Sequence, residues 1–118
     1  MEQEGITHHG RLNSEDVSKL YLKADVWAYP TDFMEIDCIT ATKAMAANCV
    51  PITTDYAVME ERNQGVMIES PIAETKEIFK QELIELLKDE DRKEKIRKKL
   101  DVSKYDWDAT AEEWKKYF

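Results

Sequence analysis

The sequence predicts an α/β fold in which helices flank a parallel sheet of three to four short strands. Two observations support this prediction. Short apolar runs occupy residues 25–29, 50–54 and 65–68, and helical periodicity lies between and after them. The runs are apolar throughout rather than alternating, which is typical of strands that helices cover on both faces. We therefore expect a single domain over residues 1–118.

The first predicted elements are a short strand and a helix. Residues 6–9 are a candidate strand that ends at Gly10. The helix that follows is capped by Asn13 or Ser14, and two acidic residues in its first turn favour the positive end of the helix dipole. Its apolar positions fall on one stripe: Val17, Leu20, Tyr21 and Ala24.

The middle of the chain predicts one βαβ unit. A strand at residues 25–29 is followed by an acidic loop around Glu35 and by an alanine-rich helix at residues 38–47. Asn48 stands where a left-handed residue ends many helices, and asparagine tolerates that conformation well. A second strand at residues 50–54 completes the unit.

The rest of the chain predicts one more strand and several helices. A short irregular helix spans residues 55–62, the third strand spans residues 65–68, and three helices follow at 75–89, 91–100 and 110–118. In the first of these three, the predicted apolar face consists of Ile78, Phe79, Leu83, Leu86 and Leu87. Trp107 and Trp114 are expected to be core or docking residues rather than a stacking platform.

Composition excludes several classes of function. The formal charge of −8 argues against nucleic acid as a partner, because binding a polyphosphate needs a basic face. No apolar run has the length of a membrane span, and the first residues do not resemble a signal peptide, so we expect a cytoplasmic protein. Cys38 and Cys49 lack zinc spacing and are expected to be buried free thiols rather than a disulfide or a metal site.

Glu35 is the best candidate for a binding residue. It follows a strand end and precedes a helix, and open α/β sheets bind ligands at that edge. We expect the free amides of Ile36, Asp37, Cys38 and Ile39 to face an anion there. The carboxylate of Asp37 competes with such an anion unless it points away or caps the helix. The alternative for Glu35 is a solvated loop acid that stabilises the dipole by about 0.3–1 kcal/mol.

The order of these motifs resembles the donor-binding half of the retaining glycosyltransferases of family four. The matching segments are Ala24-Asp25-Val26, Pro30-Thr31, Glu35, Lys43-Ala44-Met45-Ala46, Val50-Pro51-Ile52-Thr53 and the turn Tyr105-Asp106-Trp107. The resemblance implies a Rossmann-like fold, as an incomplete C-terminal lobe of the GT-B fold. Two βα units that open the family's lobe have no counterpart here, so we expect a lobe truncated at its N-terminal side.

The resemblance also implies roles for several residues. It implies that Glu35 hydrogen-bonds the donor sugar and that the amides after it hold the diphosphate. Lys43 replaces a second glutamate that accepts hydrogen bonds from the ribose. Because an ammonium has only donors, Lys43 either pairs with Glu35 or the diphosphate, or is a surface lysine. The segment Gly10, Arg11 and Leu12 resembles the turn that meets the nucleobase.

Two functions remain open at this point. The first is a donor-binding lobe for a nucleotide sugar, which is a substrate rather than a cofactor, in a retaining transfer to an acceptor hydroxyl without a metal. We expect such a chain to be inactive alone, because the family's basic clamp and acceptor lobe are missing. The second is a non-catalytic module that forms a homodimer or another self-association, because a sheet without its central strands leaves an edge unpaired.

Overall fold

A computed structural model describes residues 3–118, and a three-stranded parallel sheet forms its centre. The strands are β1 (Val26–Tyr29), β2 (Val50–Thr54) and β3 (Val66–Ile68), in the order β1-β2-β3. Val26 pairs with Val50, and Ile52 pairs with Val66. Helices flank this sheet, so the predicted Rossmann-like α/β fold is confirmed.

Within residues 3–118, six helices and one 3-10 turn surround the sheet. They are α1 (Ser14–Lys23), α2 (Ile39–Ala46), α3 (Met59–Arg62), α4 (Ile72–Lys88), α5 (Glu90–Lys99) and α6 (Trp107–Lys115), with the 3-10 turn at Ser103–Tyr105. Asn13 caps α1, since its side chain accepts a hydrogen bond from the amide of Asp16 at 2.8 Å. Asn48 ends α2 with a φ of 66°, as predicted.

The sheet divides the core into two clusters, because successive side chains of a strand point to opposite faces. On one face, alternate residues of β2 and β3 pack against α4 and α5. That cluster consists of Val50, Ile52, Val66, Ile68, Phe79 and Leu86, with Val26, Ile72, Leu83 and Ile96 at its margin. On the other face, Trp27 and Tyr29 pack against Cys38, Ala41 and Met59. Helices therefore cover both faces, which explains the continuous apolar runs.

The first predicted strand is wrong. Residues 6–9 have no regular structure, and the side chain of Ile6 is 61% exposed. Ile6 is the only large apolar residue of this segment, and nothing in residues 3–118 pairs with its backbone as a strand. The sheet accordingly has three strands in the described chain.

Of the two roles predicted for the tryptophans near the C-terminus, core or docking, the core role is excluded in the described chain. Trp107 is 85% exposed and Trp114 is 63% exposed, whereas Phe79 in α4 is buried. In α4 only Phe79 and Leu86 are fully buried, Leu83 lies at the margin of the core, and Ile78 and Leu87 are exposed. Cys38 and Cys49 are buried free thiols, as predicted.

Candidate functional site

A cavity of about 400 Å³ lies at the carboxyl end of β1. Its lining is one continuous segment, residues 33–40, which forms the loop after β1 and the first turn of α2. Open parallel sheets bind ligands outside the carboxyl ends of their strands, where the following helices begin. A ligand is therefore expected at this end of the sheet rather than at the amino ends of the strands. The loop and the strand end therefore define the candidate site.

Glu35 is tied to the end of β1. The hydroxyl of Tyr29, the last residue of that strand, donates a hydrogen bond to Oε1 of Glu35 at 3.1 Å. Both side chains are half-buried, and Glu35 lines the cavity. The carboxylate keeps its second oxygen and further lone pairs for a ligand, because an ionised carboxylate accepts several hydrogen bonds.

The start of this loop is fixed by contacts to two other elements. Thr31 is buried, and its carbonyl accepts a short hydrogen bond from the hydroxyl of Thr54 at the end of β2. The carboxylate of Asp32 accepts a hydrogen bond from the amide of Ile72, the first residue of α4, at 3.0 Å. Asp32 thus supplies a cap that α4 lacks locally, since Pro71 has no side-chain donor or acceptor. These two contacts fix the loop at Thr31 and Asp32, shortly before Glu35.

The N-terminus of α2 has no side-chain cap. Cys38 precedes the helix with a φ of 52° and a ψ of 66°, and its side chain does not cap the helix. The first turn carries no acidic residue either. The free amides of the helix therefore begin at Ile39, which lines the cavity, while Ile36 and Asp37 belong to the loop. Uncapped amides at this place favour an anionic group.

Asp37 points away from these amides. Its carboxylate forms an ion pair with the guanidinium of Arg62 at the end of α3. The carboxylate is 59% exposed, and it makes no hydrogen bond to the first turn of α2 in the described chain. From the sequence, Asp37 has two ways to avoid competing with an anion: to point away from the amides or to cap the helix. In the structure Asp37 points away from the amides and pairs with Arg62.

Cys38 is not an activated nucleophile. Burial raises the pKa of its thiol above the ordinary value, and the nearby Glu35 carboxylate adds to that shift. A raised pKa keeps the sulfur protonated at neutral pH, whereas a reactive cysteine needs the thiolate. Cys38 therefore contributes to packing and to the loop conformation.

Lys43 and the segment Gly10 to Leu12 lie apart from this cavity. Lys43 is exposed and lines a different cavity of about 290 Å³ with Ser18, Tyr21 and Leu22 of α1. None of the ion pairs in residues 3–118 involves Lys43, so it does not pair with Glu35. Gly10 has a φ of 66° in an irregular segment, and neither Arg11 nor Leu12 lines the cavity at Glu35.

Two contacts that hold the neighbouring strand ends were not predicted from the sequence. Asp55 accepts a hydrogen bond from the amide of Ser70 at 2.8 Å, and the side chain of Ser70 together with this amide lowers the pKa of the Asp55 carboxyl. The side chain of Asn63 donates to the hydroxyl of Thr53 at 2.7 Å and to the carbonyl of Val66 at 2.8 Å. An aspartate and an asparagine at strand ends are a signal for such contacts, although the sequence does not name their partners.

Within residues 3–118, no group of three or more histidine, cysteine, aspartate or glutamate side chains is arranged to hold a metal ion. In the same part of the chain, no helix combines the length and the apolar character that crossing a membrane requires.

The parallel sheet and its cavity at a strand end place the protein in the Rossmann-like α/β class. A family model for glycosyl transferases group 1 matches residues 2–101 of the 118. The chain therefore belongs to the glycosyl transferases group 1 family. Comparisons with curated proteins and with solved structures returned no match.

Proposed function

We propose that the chain binds the nucleotide-sugar donor of a glycosyltransferase that transfers a sugar to an acceptor hydroxyl with retention. The observation that carries the proposal is the hydrogen bond between Tyr29 and Glu35, which holds a carboxylate at the end of β1 beside an uncapped helix. In this proposal Glu35 accepts hydrogen bonds from the sugar hydroxyls. The first amides of α2 hold the diphosphate.

The same cavity supports the proposal that the chain is inactive alone. Its lining, residues 33–40, contains no lysine and no arginine. A departing diphosphate gains charge as its bond to the sugar breaks, and amides alone stabilise that charge less than amides with a cationic clamp. We therefore expect donor binding without measurable transfer unless another polypeptide segment supplies the clamp and the acceptor site.

Calorimetric titration with nucleotide sugars and with the corresponding nucleoside diphosphates tests the role of Glu35. Glu35→Gln is expected to weaken the binding of the matching nucleotide sugar about tenfold, which corresponds to one lost charged hydrogen bond. The diphosphate without sugar is expected to lose less than twofold, because Glu35 contacts only the sugar.

The matched control is Glu77→Gln, an exposed change of the same kind on α4. It is expected to leave both affinities as they are. Equal affinities of the native chain and Glu35→Gln for the nucleotide sugar would remove Glu35 from the site. If Glu35→Gln loses the same affinity for the nucleotide sugar and for the nucleoside diphosphate, Glu35 contacts the phosphates rather than the sugar.

A second candidate function, self-association, is favoured by the free edge of β1. The amide of Val50 donates to the carbonyl of Asp25 at 3.0 Å. Since alternate residues of a parallel strand bond to one neighbour, the backbone groups of Val26 and Ala28 face away from β2. No other described backbone group bonds to them, and Ala28 is exposed. We infer that a second copy pairs here in antiparallel fashion, with Val26 of one copy opposite Ala28 of the other.

Sedimentation at several concentrations tests this association with Ala28→Pro. Proline removes an amide that β2 does not use, so β1 and β2 stay paired while the edge loses a donor. The mutant is expected to remain monomeric at concentrations where the native chain dimerises. Ala73→Pro in the first turn of α4, where proline is tolerated, is expected to dimerise normally. A monomeric native chain, or equal dimerisation of both variants, contradicts this second function.

A further inference from the structure

A second cavity of about 370 Å³ lies between α2, the end of α3 and the 3-10 turn. Six of its lining residues matter here: Asp37, Ile39, Arg62, Lys104, Tyr105 and Trp107. Its volume is within the range of sites for small organic ligands. It shares Asp37 and Ile39 with the cavity at Glu35, so the two cavities are neighbours.

Two cationic side chains converge in this second cavity. The guanidinium carbon of Arg62 lies 4.0 Å from the centre of the Tyr105 ring, and Nζ of Lys104 lies 5.0 Å from it. Asp37 is the one carboxylate of the lining and pairs with Arg62, whereas Lys104 forms no ion pair in residues 3–118. In a chain with a formal charge of −8, this concentration of positive charge favours an anionic ligand.

Arg62 has hydrogen-bonding capacity that the protein does not use. Its side chain is only 16% exposed, and its Nε is buried without a partner in the described chain. A buried polar atom without a partner is costly, and arginine meets phosphoryl oxygens with two parallel bonds. An anion that reorients the guanidinium therefore gains a bond that the free protein lacks.

The aromatic residues of the cavity define the rest of the ligand. Trp107 lines the cavity and is 85% exposed, and Tyr105 is half-buried beneath the two cations. An exposed indole beside cationic groups favours a ring next to a negative charge. We propose that this cavity binds a phosphate monoester that carries a ring, with Arg62 and Lys104 on the phosphoryl group and Trp107 on the ring.

Binding at this cavity also regulates the loop of the first cavity. A phosphoryl group on Arg62 repels the adjacent carboxylate of Asp37, and the two compete for the same guanidinium. Occupation therefore releases Asp37, which lies two residues after Glu35 in the same loop. This coupling rests on the proposed donor-binding function, whereas the binding of the monoester does not.

Fluorescence and calorimetric titrations of the full chain test the binding with three probes: adenosine monophosphate, glucose 1-phosphate and inorganic phosphate. Lys104→Glu is expected to weaken both ring-bearing probes about tenfold, because it replaces an attractive charge by a repulsive one. Lys98→Glu, the same change on the exposed face of α5, is expected to cost less than twofold. Trp107→Phe is expected to lose the fluorescence change, and Trp114→Phe to retain it.

The relative affinities of the two ring-bearing probes show whether the ring is a base or a sugar, and tight binding of either one supports the proposal. Equal losses in Lys104→Glu and Lys98→Glu would show an effect of net charge alone and overturn it. If inorganic phosphate binds as tightly as both esters, the ring contributes nothing to binding, and the proposed role of Trp107 is refuted. Circular dichroism of each variant confirms that the fold is retained.

Two further variants separate this inference from the proposed function. Asp37→Asn is expected to raise the affinity for the monoester about threefold to tenfold, since the competing charge is gone. An unchanged affinity overturns the coupling. Glu35→Gln is expected to leave monoester binding unchanged. If Glu35→Gln weakens the monoester as much as the nucleotide sugar, the ester occupies the first cavity and the second site is refuted while the donor function stands.

Discussion

Ala57 has a left-handed backbone conformation without the residue type that favours it. It lies between β2 and α3, is exposed, and has a φ of 54°. The Cβ atom of an L-residue costs roughly 1–2 kcal/mol in this region, and alanine has no polar side chain that offsets the cost. The strain is smaller at Asn48, which has a φ of 66°, because asparagine tolerates the left-handed region better than alanine does.

The first prediction is therefore that Ala57→Gly stabilises the protein. The relief of strain exceeds the entropy that glycine adds to the unfolded chain, so the free energy of unfolding is expected to rise by about 0.5–1 kcal/mol. Urea unfolding measures this as a higher midpoint at an unchanged slope. Ala73→Gly in α4 is the control and is expected to lower stability by a similar amount. If the free energy of unfolding falls in both Ala57→Gly and Ala73→Gly, the backbone of Ala57 is not strained.

Residues that act through local geometry were predictable, and residues that act through distant partners were not. The left-handed backbone of Asn48 follows from its place at a helix end. The position of Glu35 just after a strand end follows from the local pattern, whereas its role as a binding residue was inferred from the family resemblance. The pair of Asp37 and Arg62 joins residues 25 positions apart. Each charge is visible in the sequence, but only tertiary structure selects the partner.

At the scale of the elements, β2 and β3 approach closely because of Gly65. A Cβ atom at Gly65 would lie 2.4 Å from the carbonyl oxygen of Pro51 and 2.8 Å from its Cδ. Pro51 is tolerated in the central strand because it precedes the residues of β2 that pair with β3, so its missing amide costs no bond there. The glycine and the proline thus occur together at the start of this pairing.

The second prediction is that Gly65→Ala destabilises the protein by about 2 kcal/mol or more. The collision is with backbone, which moves only if β2 and β3 separate, and overpacking of this kind costs in that range. Thermal unfolding measures the loss. Gly10→Ala is the comparison, because that residue has a φ of 66° but no atom within 4 Å of its Cβ position. A loss no larger than that of Gly10→Ala would show that the strands adjust freely.

Elements with both faces covered were the easiest to predict. The runs that form β1 and β2 are apolar because α2 and α3 pack on one face and α4 and α5 on the other. The start of α4 was predicted three residues late, since its N-terminal amide is capped by Asp32, which lies 40 residues earlier in the chain. A cap from another loop leaves no local pattern.

At the scale of the whole molecule, one carboxylate connects the start of β1 to α5. Asp25 forms ion pairs with Lys93 and with Arg97, and Lys93 also donates to the carbonyl of Leu87 at 3.1 Å. Lys93 is 1% exposed, which is rare for a lysine unless it is paired. Lys93 and Arg97, at 1% and 13% exposure, are the least exposed charged side chains of α5.

The third prediction concerns acid unfolding. The hydrogen bond from Lys93 holds the pKa of the Asp25 carboxyl below its ordinary value. A lowered pKa stabilises the fold above the unfolded value of about 3.9, and this stability is lost as the pH falls through the folded pKa. Asp25→Asn is expected to lose about 1 kcal/mol at neutral pH, less than a fully buried pair would, because the side chain is 44% exposed.

Urea unfolding between pH 2 and pH 7 separates this contribution from a general loss of stability. The native chain is expected to lose stability more steeply below about pH 4 than Asp25→Asn, so the two curves converge in acid. Asp108→Asn, a change at an exposed residue of α6, is the control, and its free energy of unfolding is expected to vary with pH as that of the native chain does. At the alkaline end, Asp25 and Glu90 raise the pKa of Lys93, so its contribution persists until the pH exceeds the ordinary lysine value. Parallel curves for Asp25→Asn and the native chain in acid would show that this pair does not hold β1 to α5.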